Sequence, residues 1–414
     1  MPYRLLRFAF RSKYPEPRMF RRPERLRDHY DVVIIGGGGH ALATAYNLAR
    51  DHSITNVAVL EKAHIGHGGT GRNTAIVRAN YLTPEGVRFY KEGVRLFQDL
   101  SSDLDFNLLY SKRGHLTLAH TDAGMRTMRW RAEVNKHLGV NSEVVGPEVV
   151  KKLCPQMDLT CGHHGFPVLG ALHHPPGAIV RHDAVAWGYA RGADRRGVEI
   201  HQETEVVGLR VQGDRIVGVE TNKGFVSASK VLSCTAGYTP RIARMAGLRT
   251  PLTVHPLQAC VTEPMKPWLD AIIVSSTLHI YLSQSDRGEL VMGAALDPYS
   301  VHSTRTTLAF MEGLAGHVCE LFPFLSRVKV MRQWAGLCDM TPDFSPIMGK
   351  TPIEGFYLDA GWGTWGFKAT PVCGKTLAYT LAHDEPHELI KPFALSRYEN
   401  FELVGEKGAA SVGQ

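Results

Sequence analysis

The chain has 414 residues and a formal net charge of +7, with 44% hydrophobic and 21% charged residues, a composition typical of folded globular proteins. Its length predicts two or three domains, with two favoured, and no run approaches the roughly 18 to 20 apolar residues of a membrane span. The first residues lack a secretory signal pattern, which predicts a cytoplasmic protein, and the seven scattered cysteines include no CxxC pair, which predicts neither a disulfide framework nor a metal site.

The first 29 residues form a predicted basic arm. Residues 4–27 carry nine Arg or Lys side chains against two glutamates, and three prolines interrupt the amphipathic helix that an organellar targeting peptide needs. No basic surface with interleaved aromatic residues recurs downstream, so we expect no nucleic-acid partner. We expect the arm to lie on a partner subunit, and an arm that is only solvated is the alternative.

The next motif is HYDVVIIGGGGHALATAYNLAR, residues 29–50, in which an apolar β-branched run leads into four glycines and a helical pattern. Gly36, Gly38 and Ala41 match the dinucleotide fingerprint, in which the backbone turns sharply and meets a pyrophosphate at a helix N-terminus. About twenty residues later the apolar run NVAVLEK supplies Glu61, whose carboxylate can accept both ribose hydroxyls. The order of these elements predicts a nucleotide-binding unit, and a glycine-rich turn without a nucleotide is the alternative.

A second glycine-rich loop follows at once, in KAHIGHGGTGRNTAIVRANY, residues 62–81. FAD and NAD both bind to the preceding fingerprint, so the sequence of this loop is needed to distinguish the two cofactors. It resembles the loop of the flavoprotein amine oxidases of the D-amino-acid-oxidase and monomeric-sarcosine-oxidase group, and the resemblance extends over residues 30 to 385. The resemblance implies that the cofactor is FAD.

The remaining elements follow from periodicity and turn residues. In chain order we expect a helix at 85–105, a strand at 112–120, helices at 122–139 and 147–155, a helix capped by Asp183, three strands with turns at 212–214 and 222–224, strands HIYLSQ and ELVMGAALD, a helix at 305–321, a strand at 355–360 and a helix after Pro371.

Together the pattern and the resemblance predict an α/β fold. A Rossmann-type FAD-binding domain would be interleaved with a substrate domain built on a large, mostly antiparallel sheet, as in D-amino-acid oxidase. The expected division is 1–29 for the basic arm, 30–110, 171–248 and 335–390 for the FAD-binding domain, 111–170 and 249–334 for the substrate domain, and 391–414 for a C-terminal tail.

The same resemblance implies which residues bind substrate and cofactor. Arg78 and Lys368 match the family's clamp for the carboxylate of an amino-acid substrate; Arg can form two parallel hydrogen bonds to it, and Lys adds a compact charge. Two surface charges without a role are the alternative. The residues implied for FAD binding are Gly36, Gly38, Gly39, Ala41, Glu61, Lys62, Gly69, Thr70, Arg72, Asn73, Thr74, Val206, Ala236, Gly237, Gly361, Gly363, Thr364, Gly366, Phe367 and Lys368.

Two positions depart from the monomeric enzymes of the group. Where those have a cysteine bonded to FAD, this chain has Gly336, and Cys338 is two residues out of register, so FAD is expected to bind without a covalent link. Where those have a lysine that promotes the reaction of reduced flavin with oxygen, this chain has Val291. Loss of that cation raises the barrier for forming superoxide, so we expect the electrons on FAD to leave by another route.

Two histidines in GALHHPPGAIVRHDA, residues 170–184, indicate that route. His174 precedes a proline, which favours extended backbone, and adjacent residues of an extended segment point to opposite sides. Only one of the pair can therefore face a ligand, and these arguments leave His173 and His174 equally open. The segment is similar to the FMN-attachment stretch of the β subunits of heterotetrameric sarcosine oxidases, a resemblance that favours His173 as the residue bonded to FMN. Surface histidines and a metal ligand are the alternatives.

That family resemblance also implies the reaction. Sarcosine or a related N-methyl amino acid would be demethylated to glycine, with formaldehyde or methylene-tetrahydrofolate and H2O2 as the other products. Electrons would pass from noncovalent FAD to covalent FMN and then to O2, in a heterotetramer with α, γ and δ subunits, one of which would bind tetrahydrofolate. The alternatives are a single-flavin dimethylglycine or amino-acid dehydrogenase and an electron-relay subunit.

Overall fold

The structure, a computed structural model, describes residues 9–10, 19–163 and 165–407. Within those ranges the strands are β1 (His29–Ile35), β2 (Val57–Leu60), β3 (Ile76–Val77), β4 (Ser111–Lys112), β5 (His115–Ala119), β6 (Glu143–Val145), β7 (Gly170–His174), β8 (Ala178–Ile179), β9 (Glu199–His201), β10 (Val206–Gln212), β11 (Arg215–Thr221), β12 (Gly224–Ser233), β13 (Thr253–Thr262), β14 (Ile272–Ser275), β15 (Ile280–Gln284), β16 (Leu290–Leu296), β17 (Val330–Met340), β18 (Ile347–Lys350) and β19 (Phe356–Ala360). The α-helices are α1 (Gly39–Asp51), α2 (Pro84–Asp103), α3 (Asp122–His137), α4 (Pro147–Leu153), α5 (His182–Asp194), α6 (Thr239–Met245), α7 (Leu308–Leu321) and α8 (Gly366–His383). None of the helices described is long and apolar enough to cross a membrane.

The first sheet contains the fingerprint strand and runs in the order β10-β11-β12-β1-β2-β9, with β19 beside β12 and β18 beside β19. Its centre is parallel, because β1 pairs in parallel with both β12 and β2. Val32 and Ile34 pack into the core under α1 and α8, whereas Val33 and Ile35 join a second core that includes Ile242 of α6. Burial on both faces explains why β1 is continuously apolar.

Helices α1 and α8 pack closely on this sheet because small residues meet between them: a Cβ added at Gly374 would lie 2.4 Å from the Cβ of Ala43. Helix α8 contains Pro371, which lacks the N–H that would bond to the carbonyl oxygen of Phe367. The Thr370 hydroxyl donates to that oxygen at 2.7 Å instead. The expectation that this helix starts after the proline is therefore wrong, and it begins at Gly366.

The second sheet runs in the order β17-β13-β16-β15-β14-β5-β7-β6. Its pairs are antiparallel except for β5 with β14. Apolar residues of this sheet pack on α7 through Leu314, Val318 and Leu321. A large, mostly antiparallel sheet beside a Rossmann-type sheet is the arrangement that the sequence predicts, so the α/β fold class is confirmed.

Three local placements differ from the expectations. Strand β7 and the residues of β17 after position 334 belong to the second sheet, through β5 and β13, although both were expected in the FAD-binding domain. The division into domains as such stays a prediction. Asp183 is not the N-cap of α5, which is Arg181; it lies in the first turn, where its carboxylate accepts the N–H of Ala184 at 2.8 Å.

The C-terminal segment packs against the rest of the chain as far as it is described. Arg397 is buried and its Nε donates to Asp343 Oδ2 at 2.8 Å, while Nη2 donates to Oδ1 of the same carboxylate at 3.0 Å. Glu406, also buried, accepts the N–H groups of Leu82 at 3.0 Å and Thr83 at 2.8 Å, where α2 begins. Residues 408–414 of the expected tail lie outside the described part of the chain.

Replacing Asp343 with asparagine is expected to lower the free energy of unfolding by about 3 to 5 kcal/mol, because it leaves the buried Arg397 without its counter-charge. Burial raises the pKa of the Asp343 carboxyl, but the hydrogen bonds and charge of Arg397 outweigh it and hold that pKa below its ordinary value. The stabilisation that the Asp343–Arg397 pair provides is therefore present at neutral pH and is lost as the pH falls through the pKa of Asp343 in the folded protein. Denaturant unfolding of the variant measures it.

The matched control is Glu354→Gln, which removes an equivalent ion pair from the surface. Glu354 lies 2.9 Å from Arg215, and both side chains are more than half exposed. Exposed pairs contribute about 0 to 1 kcal/mol, so this variant should unfold nearly as the parent does. Equal losses in the two variants would contradict the assignment of Arg397 and Asp343 as a buried structural pair.

The described part of the basic arm lies on its own chain. Arg21 Nε donates to Asp194 Oδ1 of α5 at 2.8 Å, and Arg27 is paired with Glu199 of β9 at 2.7 Å. Residues 1–8 and 11–18 of the arm lie outside the described residues. The expectation that the arm lies on a partner subunit thus stays a prediction.

Candidate active site

Residues from both sheets line one cavity of 390 Å³. Loops that follow β1, β2 and β12 form one part of its wall, and β13, β14, β15 and β17 of the second sheet form another. Of the residues expected to contact FAD or substrate, the cavity is lined by Gly36, Gly38, Gly39, Glu61, Lys62, Gly69, Thr70, Arg72, Asn73, Thr74, Arg78, Val206, Ala236, Gly237, Gly363, Thr364, Gly366, Phe367 and Lys368. Ala41, Gly361 and His173 are not among the lining residues.

The fingerprint end of the cavity fits a dinucleotide. Gly36 has φ +103°, and a Cβ there would lie 2.5 Å from the carbonyl oxygen of Cys234, so only glycine is accommodated. Glu61 is held at the end of β2, where its two carboxylate oxygens accept the N–H groups of Gly37 at 2.7 Å and Ala63 at 2.8 Å. A fixed carboxylate beside a glycine turn at the start of a helix is the arrangement that recognises ribose and pyrophosphate.

The second glycine-rich loop closes over this end. The Oγ1 of Thr70 accepts the N–H of Gly39 at 2.9 Å, so the loop touches the N-terminus of α1. The carbonyl oxygen of Arg72 accepts the indole N–H of Trp334 at 2.8 Å, which fixes the loop to β17 of the second sheet. The loop therefore joins the nucleotide part of the cavity to the part lined by the second sheet.

Two buried cations lie in the wall of the same cavity. Arg78 follows β3 and is 7% exposed, and Lys368, in the first turns of α8, is 8% exposed. Arg78 Nη1 donates to Asn80 Oδ1 at 2.9 Å, and its guanidinium lies 4.6 Å from the centre of the Tyr81 ring. Burial, reinforced by the charge of Arg78, lowers the pKa of the Lys368 amino group well below its usual range. A bound anion such as a carboxylate would offset the free-energy cost of burying these positive charges.

A charged network that the sequence did not predict lies next to the fingerprint. His40 Nδ1 lies 2.9 Å from Asp359 Oδ2, and Nε2 lies 2.7 Å from the carbonyl oxygen of Gly366. Both ring nitrogens thus face acceptors, which favours the imidazolium; burial opposes the charge, but the carboxylate of Asp359 outweighs burial and raises the pKa of His40. Asp359 Oδ1 also accepts from Trp362 at 2.7 Å and from Cys373 at 3.3 Å. His40, Asp359 and Cys373 are residue types that can bind a metal ion, and here all three are engaged in hydrogen bonds with the chain.

Two further residues in the wall carry chemistry that was not expected. Asp339 lies at the end of β17, where burial raises the pKa of its carboxyl to about 7 although Oδ2 accepts the N–H of Gly361 at 2.6 Å. His115, at the start of β5, lines the cavity although the sequence analysis assigned it only to a strand. Pairing of β5 with β7 and β14 places it there, and no local pattern marks such long-range pairing.

The histidine pair of β7 has two different environments. His174 is 1% exposed; its Nδ1 lies 2.7 Å from the carbonyl oxygen of Asn141, and its Nε2 accepts the N–H of Ala79 at 3.2 Å. Burial lowers the pKa of His174 to about 4, so the ring is neutral. His173 is 17% exposed in its side chain and its Nδ1 lies 3.5 Å from Glu143 Oε1. Both nitrogens of His174 are therefore used within the chain, whereas His173 reaches the surface.

The comparisons with known proteins identify the family of the chain. The model of the family "FAD dependent oxidoreductase" matches residues 31–380, and by fold and family the chain is an FAD-dependent oxidoreductase. A sarcosine oxidase subunit beta of Arthrobacter sp is 45% identical over 383 residues, 92% of this chain and 94% of that protein. One of Rhizobium meliloti (strain 1021) is 46% identical over 382 residues, 92% and 91% of the two chains. The chain therefore belongs to the family of sarcosine oxidase β subunits, as the resemblance predicts.

Among solved structures, the crystal structure of an L-proline dehydrogenase from P. horikoshii superposes with a TM-score of 0.86 at 26% identity. The match covers 92% of this chain and 100% of that one. The L-proline dehydrogenase thus has the same fold over its whole length.

Proposed function

We propose that this chain is the catalytic flavoprotein subunit of an oxidase that demethylates sarcosine or a related N-methyl amino acid to glycine. The observation that carries the proposal is the pair of buried cations, Arg78 and Lys368, in the wall of the cavity that also holds the dinucleotide fingerprint. Bound FAD supplies the acceptor of two electrons from the N-methyl carbon. The names of the relatives, sarcosine oxidase subunit beta, support the choice of substrate.

The chain's own groups would bind and orient the amino acid. Arg78 can donate two parallel hydrogen bonds to the carboxylate, and Asn80 holds the guanidinium in place. Lys368, in the first turns of α8, would add a second positive charge when a carboxylate binds beside it and offsets the effects that lower its pKa. Because both cations are buried, the gain from binding a carboxylate is larger than it would be in water. The remaining wall includes the apolar side chains of Leu257 and Ala259 of β13, which would contact the apolar part of the substrate.

A noncovalent FAD is supported by the wall beside β17. Gly336 and Cys338 both line the cavity, but Gly336 has no side chain to bond to FAD, and the Sγ of the buried Cys338 lies 3.5 Å from the Sδ of Met340. Burial raises the pKa of the Cys338 thiol well above its ordinary value, which disfavours the thiolate that covalent attachment would require.

We further propose that His173 holds FMN covalently, and that electrons leave FAD for FMN and then reduce O2 to H2O2. The contrast within the histidine pair supports this choice, since both ring nitrogens of His174 are engaged in buried contacts. A surface histidine also suits a second flavin held between this chain and an α subunit. The full assembly would contain α, γ and δ subunits, with tetrahydrofolate bound by a partner, and it would act in the cytoplasm.

Anaerobic addition of sarcosine to the chain purified with its partners should bleach the flavin absorbance. Admission of O2 should then produce H2O2 and glycine, with methylene-tetrahydrofolate replacing formaldehyde when tetrahydrofolate is present. Dimethylglycine and L-proline serve as comparison substrates. Bleaching by L-proline but by neither N-methyl amino acid would contradict the proposed substrate class, and bleaching by dimethylglycine alone would identify it as the substrate. Bleaching without H2O2 formation would favour a single-flavin dehydrogenase.

A further inference from the structure

His115 is a buried histidine in the substrate part of the cavity to which the function above gives no role. It is 1% exposed and stands at the start of β5, between His174 of β7 and Ile272 of β14 in the sheet register. It lines the cavity together with Arg78 and Lys368. The neighbouring strands thus hold His115 in the wall of the cavity in which an amino acid clamped by those cations would lie.

The ring of His115 has one nitrogen left for a ligand. Its Nδ1 lies 3.4 Å from the Oγ1 of Thr117, a long contact within the same strand. Its Nε2 is buried and has no hydrogen-bond partner among the residues described. A buried polar atom without a partner costs free energy, so an atom of this kind in a cavity wall is suited to bind a polar group of the substrate.

The charged groups around His115 keep it neutral. Arg78 from the segment after β3, Arg131 from α3 and Lys368 from α8 face it, together with His174 of β7. Burial is the main cause that lowers the pKa of His115 far below its ordinary value, and these neighbours lower it further. At neutral pH the imidazole is therefore unprotonated, and it gains proton affinity only when a substrate carboxylate beside Arg78 and Lys368 offsets their charge.

The buried carboxylates in the cavity wall, those of Glu61, Asp339 and Asp359, already accept hydrogen bonds from the chain. Glu61 is held by two backbone N–H groups at the fingerprint end. Asp359 accepts hydrogen bonds from three side chains, and Asp339 accepts the N–H of Gly361. The phenol of Tyr281, which also lines the cavity, is kept in its protonated form because burial raises its pKa.

We propose that the Nε2 of His115 removes a proton from the ammonium group of the bound amino acid, a role that rests on the function proposed above. An N–H bond of the substrate breaks, an Nε2–H bond forms, and the electron pair stays on the amine nitrogen. That pair is required before a hydride can leave the adjacent carbon for FAD. The carboxylate held by Arg78 and Lys368 offsets the charge of the imidazolium that results.

The test is the pH dependence of sarcosine oxidation in His115→Gln, measured in the complete complex. The wild type should accept the zwitterion, so kcat/KM should change little between about pH 7 and 9. In the variant the amine must lose its proton to solvent first. The value of kcat/KM should fall about 100-fold at pH 7 and then recover about tenfold per pH unit.

Two controls separate proton transfer from a structural role. Propionate, which has the carboxylate but no amine, should bind the variant as tightly as the wild type when titrated against flavin absorbance. His120→Gln removes another buried histidine next to β5, one that hydrogen-bonds Ser275 outside the cavity, and its pH profile should stay that of the wild type.

The possible outcomes distinguish this role from the proposed function. A wild-type complex that sarcosine does not reduce would overturn the function itself. If sarcosine reduces the wild-type complex, two results would overturn only the role of His115. One is a pH profile of kcat/KM in His115→Gln that is parallel to that of the wild type, and the other is a lower affinity of that variant for propionate.

Discussion

Replacing Arg78 with alanine should lower kcat/KM for sarcosine by about 10²- to 10³-fold, the cost of truncating one partner of a buried charge pair. Arg78 is held by Asn80 and by the Tyr81 ring, so its donors are already directed before substrate binds. The substrate carboxylate would then face Lys368 alone and would lose the two parallel hydrogen bonds that Arg78 can donate. Steady-state kinetics and the affinity for propionate both measure the effect.

Two controls make the result specific to the carboxylate. Arg88→Ala removes the same type of charge from an exposed position on α2 and should leave kcat/KM within twofold, by the usual size of surface effects, about 0.5 kcal/mol or less. An N-methyl amine without a carboxylate should be a poor substrate of the wild type and equally poor for Arg78→Ala. Unchanged sarcosine turnover in Arg78→Ala would contradict the clamp and favour an electron-relay subunit whose partner oxidises the substrate.

The residues of the expected nucleotide site could be chosen from sequence patterns because the signals of such a site are local. Gly36 has to adopt a positive φ beneath a carbonyl oxygen, and Glu61 has to end the next strand, so both requirements leave residue types at fixed spacing. The positions of Arg78 and Lys368 came from resemblance alone. The structure brings both into one cavity, which neither periodicity nor composition indicates.

The parts that the sequence did not predict depend on contacts between distant segments. His40 is paired with Asp359, and Arg397 with Asp343, across large separations in the chain. The start of α8 was misplaced because proline is expected to begin a helix, whereas the Thr370 hydroxyl replaces the hydrogen bond that an interior proline removes. The role of His115 depends on which strands pair with β5.

The structure also sharpens the choice that the sequence left open on β7. Alternation along an extended strand requires His173 and His174 to point to opposite sides, but it does not say which side a flavin would occupy. The contacts of His174 with Asn141 and Ala79 use both of its nitrogens, and a bond from either nitrogen to a flavin would break one of them inside the protein. His173 is thus favoured on physical grounds as well as by resemblance.

His173→Asn is therefore expected to abolish covalently attached flavin in the purified complex, while FAD remains bound. After acid precipitation the wild-type pellet should retain flavin fluorescence and the variant pellet should have none. A proteolytic peptide spanning residues 165–195 should carry the mass of FMN in the wild type only. Sarcosine should still bleach the FAD of the variant, but H2O2 formation should fall to a small residual rate because the second flavin is missing.

The matched control is His174→Asn, which changes the adjacent ring and leaves the attachment point in place. It should keep the covalent flavin, and it should unfold about 1 to 3 kcal/mol more easily because Asn141 and Ala79 lose their buried partner. Covalent flavin that persists in His173→Asn and disappears in His174→Asn would reverse the assignment. Covalent flavin that persists in both variants would place the attachment at another residue. Absence of covalent flavin from the wild type would leave noncovalent FAD as the flavin of this chain and favour the single-flavin dehydrogenase.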